Sequence, residues 1–331
     1  MSICLRRREF IAGLGSAAAW PLAARAQQPA LPVIGVLGSG SRSTSDYVLA
    51  PFAQGLRQQG FVEDRNVNLH YSWAEGHYDL LPSMATEFVR RHVAVIVTLG
   101  GTVAAEAAKA ATTTIPIVFS IGTDPVAVGL VKSLNQPGGN LTGATNMTVE
   151  LTPKRLELLH DLVPNVTRIE FLINPDNRTF IETTTKEEKE AAATLGIQVH
   201  PASVSSDRDF DPAFESLARL RVGALDVSDD PFHMSRRERI VAVAARYRIP
   251  ALYSHSEYVK AGGLISYGTT GAGNSVIVGD YAGRILKGEK PAGLPVQQST
   301  KVELIINMKT AKALGPIVPL TLRVRADEVI E

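Results

Sequence analysis

Small, hydroxyl-bearing and carboxylate residues follow the apolar segments of this 331-residue sequence. They occur in the stretches "GSGSR" (38–42), "GGT" (100–102), "SIGTDP" (120–125), "NPDN" (174–177) and "SDDP" (228–231). Small residues leave room for a ligand, and hydroxyls, amides and acids orient a polar molecule. Ligands of open α/β sheets bind beyond the carboxyl ends of the strands. If each apolar segment is a buried strand, the pattern predicts a binding site for a small polar molecule.

The same loops lack the spacing that enzymatic or nucleotide chemistry requires. Gly38 and Gly40 are followed by Ser43, where the dinucleotide fingerprint needs a third glycine. The stretch "LGGTVAAEAAK" lacks the Gly-Lys-Ser/Thr of a phosphate-binding loop. No G-x-S-x-G or H-E-x-x-H motif occurs, and His255 is the only histidine in a predicted cleft loop. We therefore predict no catalytic residue, no metal and no cofactor.

Several of these loop residues allow two interpretations. Asp124 and Asp230 each precede a proline, so each is either a helix cap or a ligand anchor. Asp229 is a further candidate anchor. Trp73 and Tyr267 either stack on a flat part of a ligand or cover a sheet.

Strand and helix patterns alternate along the chain in two successive runs. Apolar runs predict strands at 33–37, 67–71, 94–99, 117–120, 142–145, 168–173, 198–200, 224–227, 251–253 and 264–267. Helices are predicted at 47–59, 80–91, 102–111, 153–162, 181–195, 211–220, 235–247 and 274–286, with another fed by the loop in 121–134. This alternation predicts an α/β fold with two similar lobes, each a parallel sheet covered by helices.

The composition argues against a nucleic-acid-binding protein and against a membrane-spanning one. The formal net charge is +1 and no stripe of Lys and Arg appears, so we predict no binding to nucleic acid. No apolar run reaches the ~18–20 residues that a membrane-spanning helix needs.

Residues 1–26 have the layout of an export signal. Arg7-Arg8 precede Glu9 and Phe10, as in a twin-arginine motif, and an apolar stretch leads to Ala24-Arg25-Ala26. Cleavage there also removes Cys4, the only cysteine. The mature protein would then have neither a disulfide nor a thiol nucleophile. The export signal predicts a location in the periplasm.

Long stretches of the sequence resemble one family. They include "YSWAEGHYDLLPSMATEFVRRHVAVIVTLGGTVAAEAAKAATTTIPIVF", "TDPVAVGLVKSLNQPGGNLTG" and "YAGRILKGEKPAGLPVQQSTKVELIINMKTAKALG". The chain resembles the ABC-transporter substrate-binding proteins of the tryptophan/tyrosine type over essentially its whole length. The resemblance implies a type I periplasmic binding-protein fold, with lobe 1 at 31–145 plus 254–292 and lobe 2 at 146–253 plus 293–331.

The resemblance also implies a set of ligand-binding residues and partners. Together with Tyr267, the predicted ligand-binding set is Ser39, Ser41, Gly101, Thr102, Thr123, Asp124, Asn146, Asn174, Asp176, Asn177 and Asp229. The family's Glu-Ala-Asn-Ser stretch is replaced by Asp176-Asn177-Arg178-Thr179, and Thr269 stands where relatives tend to have Asp. Both differences argue against an aromatic amino acid as the ligand.

The resulting hypothesis is an exported solute-binding protein without catalysis. A monomer would capture an amino acid or a small carboxylate-like solute by hinge closure and deliver it to the permease of an ABC transporter. The alternative is a periplasmic sensor that presents its bound solute to a membrane receptor kinase, because one fold serves both roles.

Overall fold

The structure is a computed structural model that describes residues 31–269, 271–315 and 317–331. The predicted export signal at 1–26 lies outside the described residues. Within the described part of the chain, no helix is both long and apolar enough to cross a membrane.

The first half of the chain builds one sheet and the helices that cover it. Its strands are β1 (Val33–Gly38), β2 (Asn68–Trp73), β3 (Val95–Thr98), β4 (Ile117–Ile121) and β5 (Leu141–Thr145). Its helices are α1 (Asp46–Gln58), α2 (Leu81–Arg90) and α3 (Gly101–Ala111). β1 and β3 to β5 are buried on both faces, as expected for apolar strands of a parallel sheet between helices.

The second half repeats the alternation. Its strands are β6 (Arg168–Ile173), β7 (Gln198–Ser203), β8 (Ala224–Val227), β9 (Ala251–Tyr253) and β10 (Ile265–Thr269). Its helices are α4 (Thr152–Leu162), α5 (Arg178–Leu195), α6 (Phe210–Arg219), α7 (Pro231–Ser235), α8 (Arg237–Arg246) and α9 (Ser256–Lys260). The remaining elements are α10 (Gly271–Leu286), β11 (Gln297–Gln298), β12 (Val302–Asn307), α11 (Met308–Leu314), α12 (Leu320–Arg325) and β13 (Glu328–Ile330).

The strands form two sheets, which define two lobes. The first lobe has six strands in the order β11-β5-β4-β3-β1-β2, all paired in parallel. The second has seven in the order β13-β12-β10-β9-β8-β6-β7, and only its β10–β12 pair is antiparallel. The chain therefore passes between the sheets after β5, after β10 and after β11.

These passages differ from the lobe boundaries expected from the sequence. Residues 254–269 were expected in lobe 1, but β10 pairs with β9 and β12 of the second sheet. Residues 293–299 were expected in lobe 2, but β11 pairs with β5 of the first sheet. Short strands such as these take their place from hydrogen-bonding partners, which a local pattern does not specify.

Helix α10 belongs with the first lobe because it packs closely on α1. A Cβ atom added to Gly55 would lie 2.1 Å from the Val276 carbonyl oxygen, and one added to Gly279 would lie 2.1 Å from that of Phe52. The two glycines thus allow direct contact between the backbones of the two helices.

One helix prediction was wrong and another was confirmed with small differences in its bounds. The helix expected within 121–134 is only a turn, in which the Leu130 N–H donates to the Pro125 carbonyl. Gly129, at φ +71°, ends this turn. The helix expected at 235–247 is present as α8 (Arg237–Arg246), and the short helix α7 (Pro231–Ser235) precedes it.

Candidate functional site

A cavity lies between the two lobes, beyond the carboxyl ends of β4, β8 and β9. Its empty volume is about 540 Å³ including its opening to solvent. The first lobe lines it with Tyr47, Val48, Leu99, Gly101, Ser120, Ile121, Gly122, Gly271 and Asn274, and the second lobe and the crossover line it with Asn146, Asp229, Pro231, Met234 and His255.

Glycines bring the backbone of the first lobe close to the second. Gly101 begins α3 at φ +70°, and a Cβ atom there would lie 3.2 Å from Pro231 Cγ. A Cβ atom at Gly122 would lie 2.9 Å from Asp229 Oδ2. The loop that ends β3 in two glycines therefore adjoins both the cavity and the facing lobe.

An ion pair forms the charged part of the cavity wall. Asp229 Oδ1 lies 2.8 Å from His255 Nε2, and Thr148 Oγ1 donates to Asp229 Oδ2 at 2.6 Å. Burial alone would raise the pKa of Asp229, but the charge and hydrogen bond of His255 and the bond from Thr148 outweigh burial and lower the pKa to about 2. Burial alone would lower the pKa of His255, yet Asp229 raises it to about 9. Both groups are therefore charged at neutral pH.

Neutral polar side chains complete the cavity wall. Burial raises the pKa of the Tyr47 phenol well above its usual range, so the hydroxyl stays protonated. Asn274 lies in the first turn of α10 and is 1% exposed, and Asn146 at the crossover is 8% exposed. Within the described part of the chain, the Oδ1 atoms of these two asparagines have no hydrogen-bond partner. Buried polar atoms are normally paired, which favours a ligand at these positions.

Asp230 adjoins Asp229 but serves a different purpose. It caps α7 by accepting from the Phe232 and His233 N–H groups. It also accepts from the Tyr78 hydroxyl of the first lobe at 3.0 Å, and the Phe232 N–H donates to that hydroxyl at 3.0 Å. Asp230 is 1% exposed, so it links the two lobes through a buried hydrogen bond.

The structure brings only some of the predicted site residues to the cavity. Gly101, Asn146 and Asp229 line it. Ser41 lines a smaller adjoining cavity together with Trp73 and Tyr47. The Trp73 ring also covers Gly38, because a Cβ atom there would lie 2.1 Å from the ring.

Three predicted residues of the first lobe support loops. Ser39 Oγ donates to the Gly100 carbonyl. Thr102 and Thr123 are buried and join their hydroxyls at 2.9 Å. None of the three lines the cavity.

Asp124 Oδ1 accepts from the Val126 N–H at 2.8 Å, the local capping interaction that was its alternative interpretation.

Four predicted residues at strand ends of the second lobe also lie away from the cavity. Asn174 and Asn177 donate to the Asp230 carboxylate at 3.1 and 2.9 Å. Asp176 is exposed and borders a surface groove between α2, α3 and α5. Tyr267 packs against the hydrophobic core of the second lobe rather than the cavity.

Sequence reasoning missed three polar residues of the cavity wall. His255 falls in a loop predicted to border the cleft, where a lone histidine was expected to be a surface or hydrogen-bonding residue rather than a catalytic base. Tyr47 and Asn274 lie in the first turns of α1 and α10, where no strand-end signal marks them. The pairing of His255 with Asp229 depends on β8 and β9 being neighbours in the sheet.

The described residues contain no group of three or more His, Cys, Asp and Glu side chains that could hold a metal ion.

Comparison with known proteins agrees with this arrangement. A family model described as ABC transporter substrate binding protein matches residues 8–330. A tyrosine-binding protein of Clostridioides difficile (strain R20291) is 29% identical over 268 residues, which cover 80% of this chain and 75% of that protein.

Two solved structures extend the comparison. The ABC domain from Streptococcus pneumonia in complex with L-Trp is 28% identical, covers 91% of this chain and 100% of its own, and superposes with a TM-score of 0.80. The ligand-free, open structure of a substrate-binding protein with adhesive properties from Clostridium difficile is 26% identical. The match covers 91% of this chain and 99% of that chain, with a TM-score of 0.61. Solute-binding proteins at only 13–16% identity share the fold, with TM-scores of 0.52 to 0.60.

The two sheets and the cavity between them define a type I periplasmic binding-protein fold. The chain belongs to the ABC transporter substrate-binding protein family, whose model spans nearly its full length.

Proposed function

We propose that this protein captures a small polar solute, either an amino acid or a small carboxylate, between its lobes and delivers it to an ABC-type permease. The observation that carries the proposal is the cavity that both lobes line, with the Asp229–His255 pair on one side and Tyr47 and Asn274 on the other. A relative described as a tyrosine-binding protein and a related structure in complex with L-Trp support an amino acid or a similar small solute as the ligand.

Contacts between the lobes support capture by closure. The Tyr78 hydroxyl of the first lobe lies at the N-terminus of α7 in the second, and Pro231 packs against Gly101. The TM-score is higher against the complex with L-Trp than against the ligand-free, open relative. A ligand drives closure only to the extent that it binds the closed state more tightly than the open state.

The proposed ligand contacts are Gly101, Asn146, Asp229, Tyr47, His255 and Asn274. Ser39, Thr102, Thr123, Asn174 and Asn177 act indirectly in this proposal, by holding the loops and Asp230 in place. The Asp229–His255 charges and the N-terminus of α3 orient the ligand, and neutral groups provide hydrogen bonds.

The proposed setting follows from the family and the N-terminal sequence. A substrate-binding protein acts outside the cytoplasm, and the twin-arginine motif at Arg7-Arg8 is the proposed route of export. The proposed partner is the membrane permease, and the proposed state is a monomer.

A thermal-shift screen of amino acids and small carboxylates, followed by small-angle scattering, tests the proposal. A true ligand stabilises the protein by ~2.7 kcal/mol at a hundredfold excess over Kd and raises Tm accordingly. The same ligand should reduce the radius of gyration if the lobes close on it. A screen in which no solute of either class raises Tm would contradict the proposal.

A further inference from the structure

The charges around the cavity discriminate between the two solute classes of the proposed function, on which this inference rests. We infer that the site selects a carboxylate that carries no α-ammonium group, and that His255 determines this preference by neutralising Asp229.

The first step concerns the carboxylate that would otherwise bind an ammonium group. Both oxygens of Asp229 already have partners, His255 Nε2 at 2.8 Å and Thr148 Oγ1 at 2.6 Å. The side chains of His255 and Asp229 are only 8% and 16% exposed, so water screens the pair weakly. An incoming ammonium would approach a compensated carboxylate and be repelled by the adjacent imidazolium.

The second step concerns the other charges near the cavity. Apart from Asp229 and His255, no Asp, Glu, Lys, Arg or His lines it in the described part of the chain. Glu257 acts on His255 and Tyr47 from α9, Arg237 acts on Tyr47 from α8, and Arg155 acts on Asp229 from α4. The lining side chains therefore contribute no net charge.

The third step concerns what remains once the pair has cancelled. The N-terminal ends of two helices reach the cavity, since Gly101 begins the eleven-residue α3 and Gly271 begins the sixteen-residue α10. Each end carries roughly half a positive charge, which favours an anion. The buried Asn274 side chain lies in the first turn of α10 and lines the same cavity. A carboxamide provides N–H donors for a ligand carboxylate.

Matched ligands that differ by one charged group test the inference. Hydrocinnamate, indolepropionate and isocaproate are L-phenylalanine, L-tryptophan and L-leucine without the ammonium group, and phenethylamine and tryptamine lack the carboxylate instead. We expect isothermal titration at neutral pH to show at least one carboxylate binding about tenfold or more tightly than its amino acid, a difference of ~1.4 kcal/mol. The amines should not bind.

A variant assigns the preference to His255. His255→Asn keeps a hydrogen-bond donor beside Asp229 but removes the positive charge, so the amino acid should gain at least about tenfold relative to the matched carboxylate. The control is His92→Asn, an exposed residue at φ +52° where asparagine is well tolerated, and it should keep the wild-type preference.

The outcomes separate this inference from the proposed function. If wild-type protein binds an amino acid as tightly as its matched carboxylate, or more tightly, the inference is wrong while the proposed function stands. An unchanged preference in folded His255→Asn would remove His255 as the determinant. Absence of binding by every solute of both classes would overturn the proposed function and the inference with it.

Discussion

Asp229 and Asp230 are consecutive carboxylates with opposite surroundings. Asp229 faces the cavity, and one hydroxyl and one imidazolium are its partners. Asp230 is 1% exposed and accepts hydrogen bonds from Tyr78, Asn174, Asn177 and two backbone N–H groups of α7. The contrast separates two tasks. Within the described residues, the ligand cavity contains buried polar atoms without partners, whereas both carboxylate oxygens of Asp230 accept hydrogen bonds and join the lobes.

Replacing Asp230 should cause the largest effect. Asp230→Ala removes a helix cap and leaves the buried donors of Asn174, Asn177 and Tyr78 without their acceptor, so the free energy of unfolding should fall by about 3 kcal/mol. Urea denaturation measures the change. Asp124→Ala is the control, because Asp124 caps only Val126 in an exposed loop, and it should cost about 1 kcal/mol or less. Equal losses in the two variants would mean that the interlobe network contributes nothing.

The cavity pair predicts how stability depends on pH. Because the folded pKa of His255 is raised from 6.5 to about 9, its stabilising effect is complete below pH 6.5 and is lost as the pH rises through 9. The lowered pKa of Asp229 gives stability that is present above pH 3.8 and is lost as the pH falls through about 2. Between pH 6.5 and 9 the loss should reach about 3 kcal/mol.

Urea denaturation across this pH range, compared between wild type and His255→Asn, measures the contribution of His255. The variant should show a flatter profile, and His92→Asn should keep the wild-type slope. A wild-type profile that is flat from pH 6.5 to 9 would show that the ion pair does not stabilise the fold.

Gly101 tests how closely the lobes approach at the cavity. Gly101→Ala and Gly196→Ala both place a side chain at a φ near +70°, at a cost of about 1 kcal/mol each. Nothing lies within 4 Å of a Cβ atom at Gly196, whereas one at Gly101 lies 3.2 Å from Pro231. Only Gly101→Ala should therefore also weaken ligand binding, by about threefold to tenfold in isothermal titration. Equal affinities in the two variants would contradict this close approach.

Removing a single hydroxyl should give the smallest effect. Tyr78→Phe keeps the ring but loses the bonds to Asp230 and to the Phe232 N–H, so the closed state should lose about 1 kcal/mol and ligand affinity about fivefold. Small-angle scattering of the free protein should show a larger radius of gyration. The control Tyr71→Phe loses only an exposed bond to Glu63 and should match wild type in both measurements.

Much of the fold could be predicted because its signals are local. The apolar runs of β6, β8 and β9 predict these strands with the bounds that the structure shows. The helix predicted within 121–134 is absent because Asp124 and Pro125 begin a turn that resembles the start of a helix, and Gly129 then ends it. The bounds of the lobes differed because the pairing of β10 and β11 depends on strands far away in sequence.

The site could be predicted less completely for the same reason. Strand-end chemistry pointed to Asp229, and family resemblance pointed to Asn146. Neither signal marks Tyr47 or Asn274, which reach the cavity only because α1 and α10 pack together through Gly55 and Gly279. The loop that holds His255 was predicted to border the cleft, but the ion pair of His255 was missed because its partner Asp229 lies 26 residues earlier in the chain.

The sequence by itself determined the alternation of strands and helices, the small and polar residues at strand ends, and the family, because each of these is written in consecutive residues. Only the tertiary structure decided which of two adjacent aspartates faces the cavity and which one joins the lobes. Hydrogen bonds and ion pairs act over about 3 Å, and the neighbours at that distance come from segments that only folding brings together.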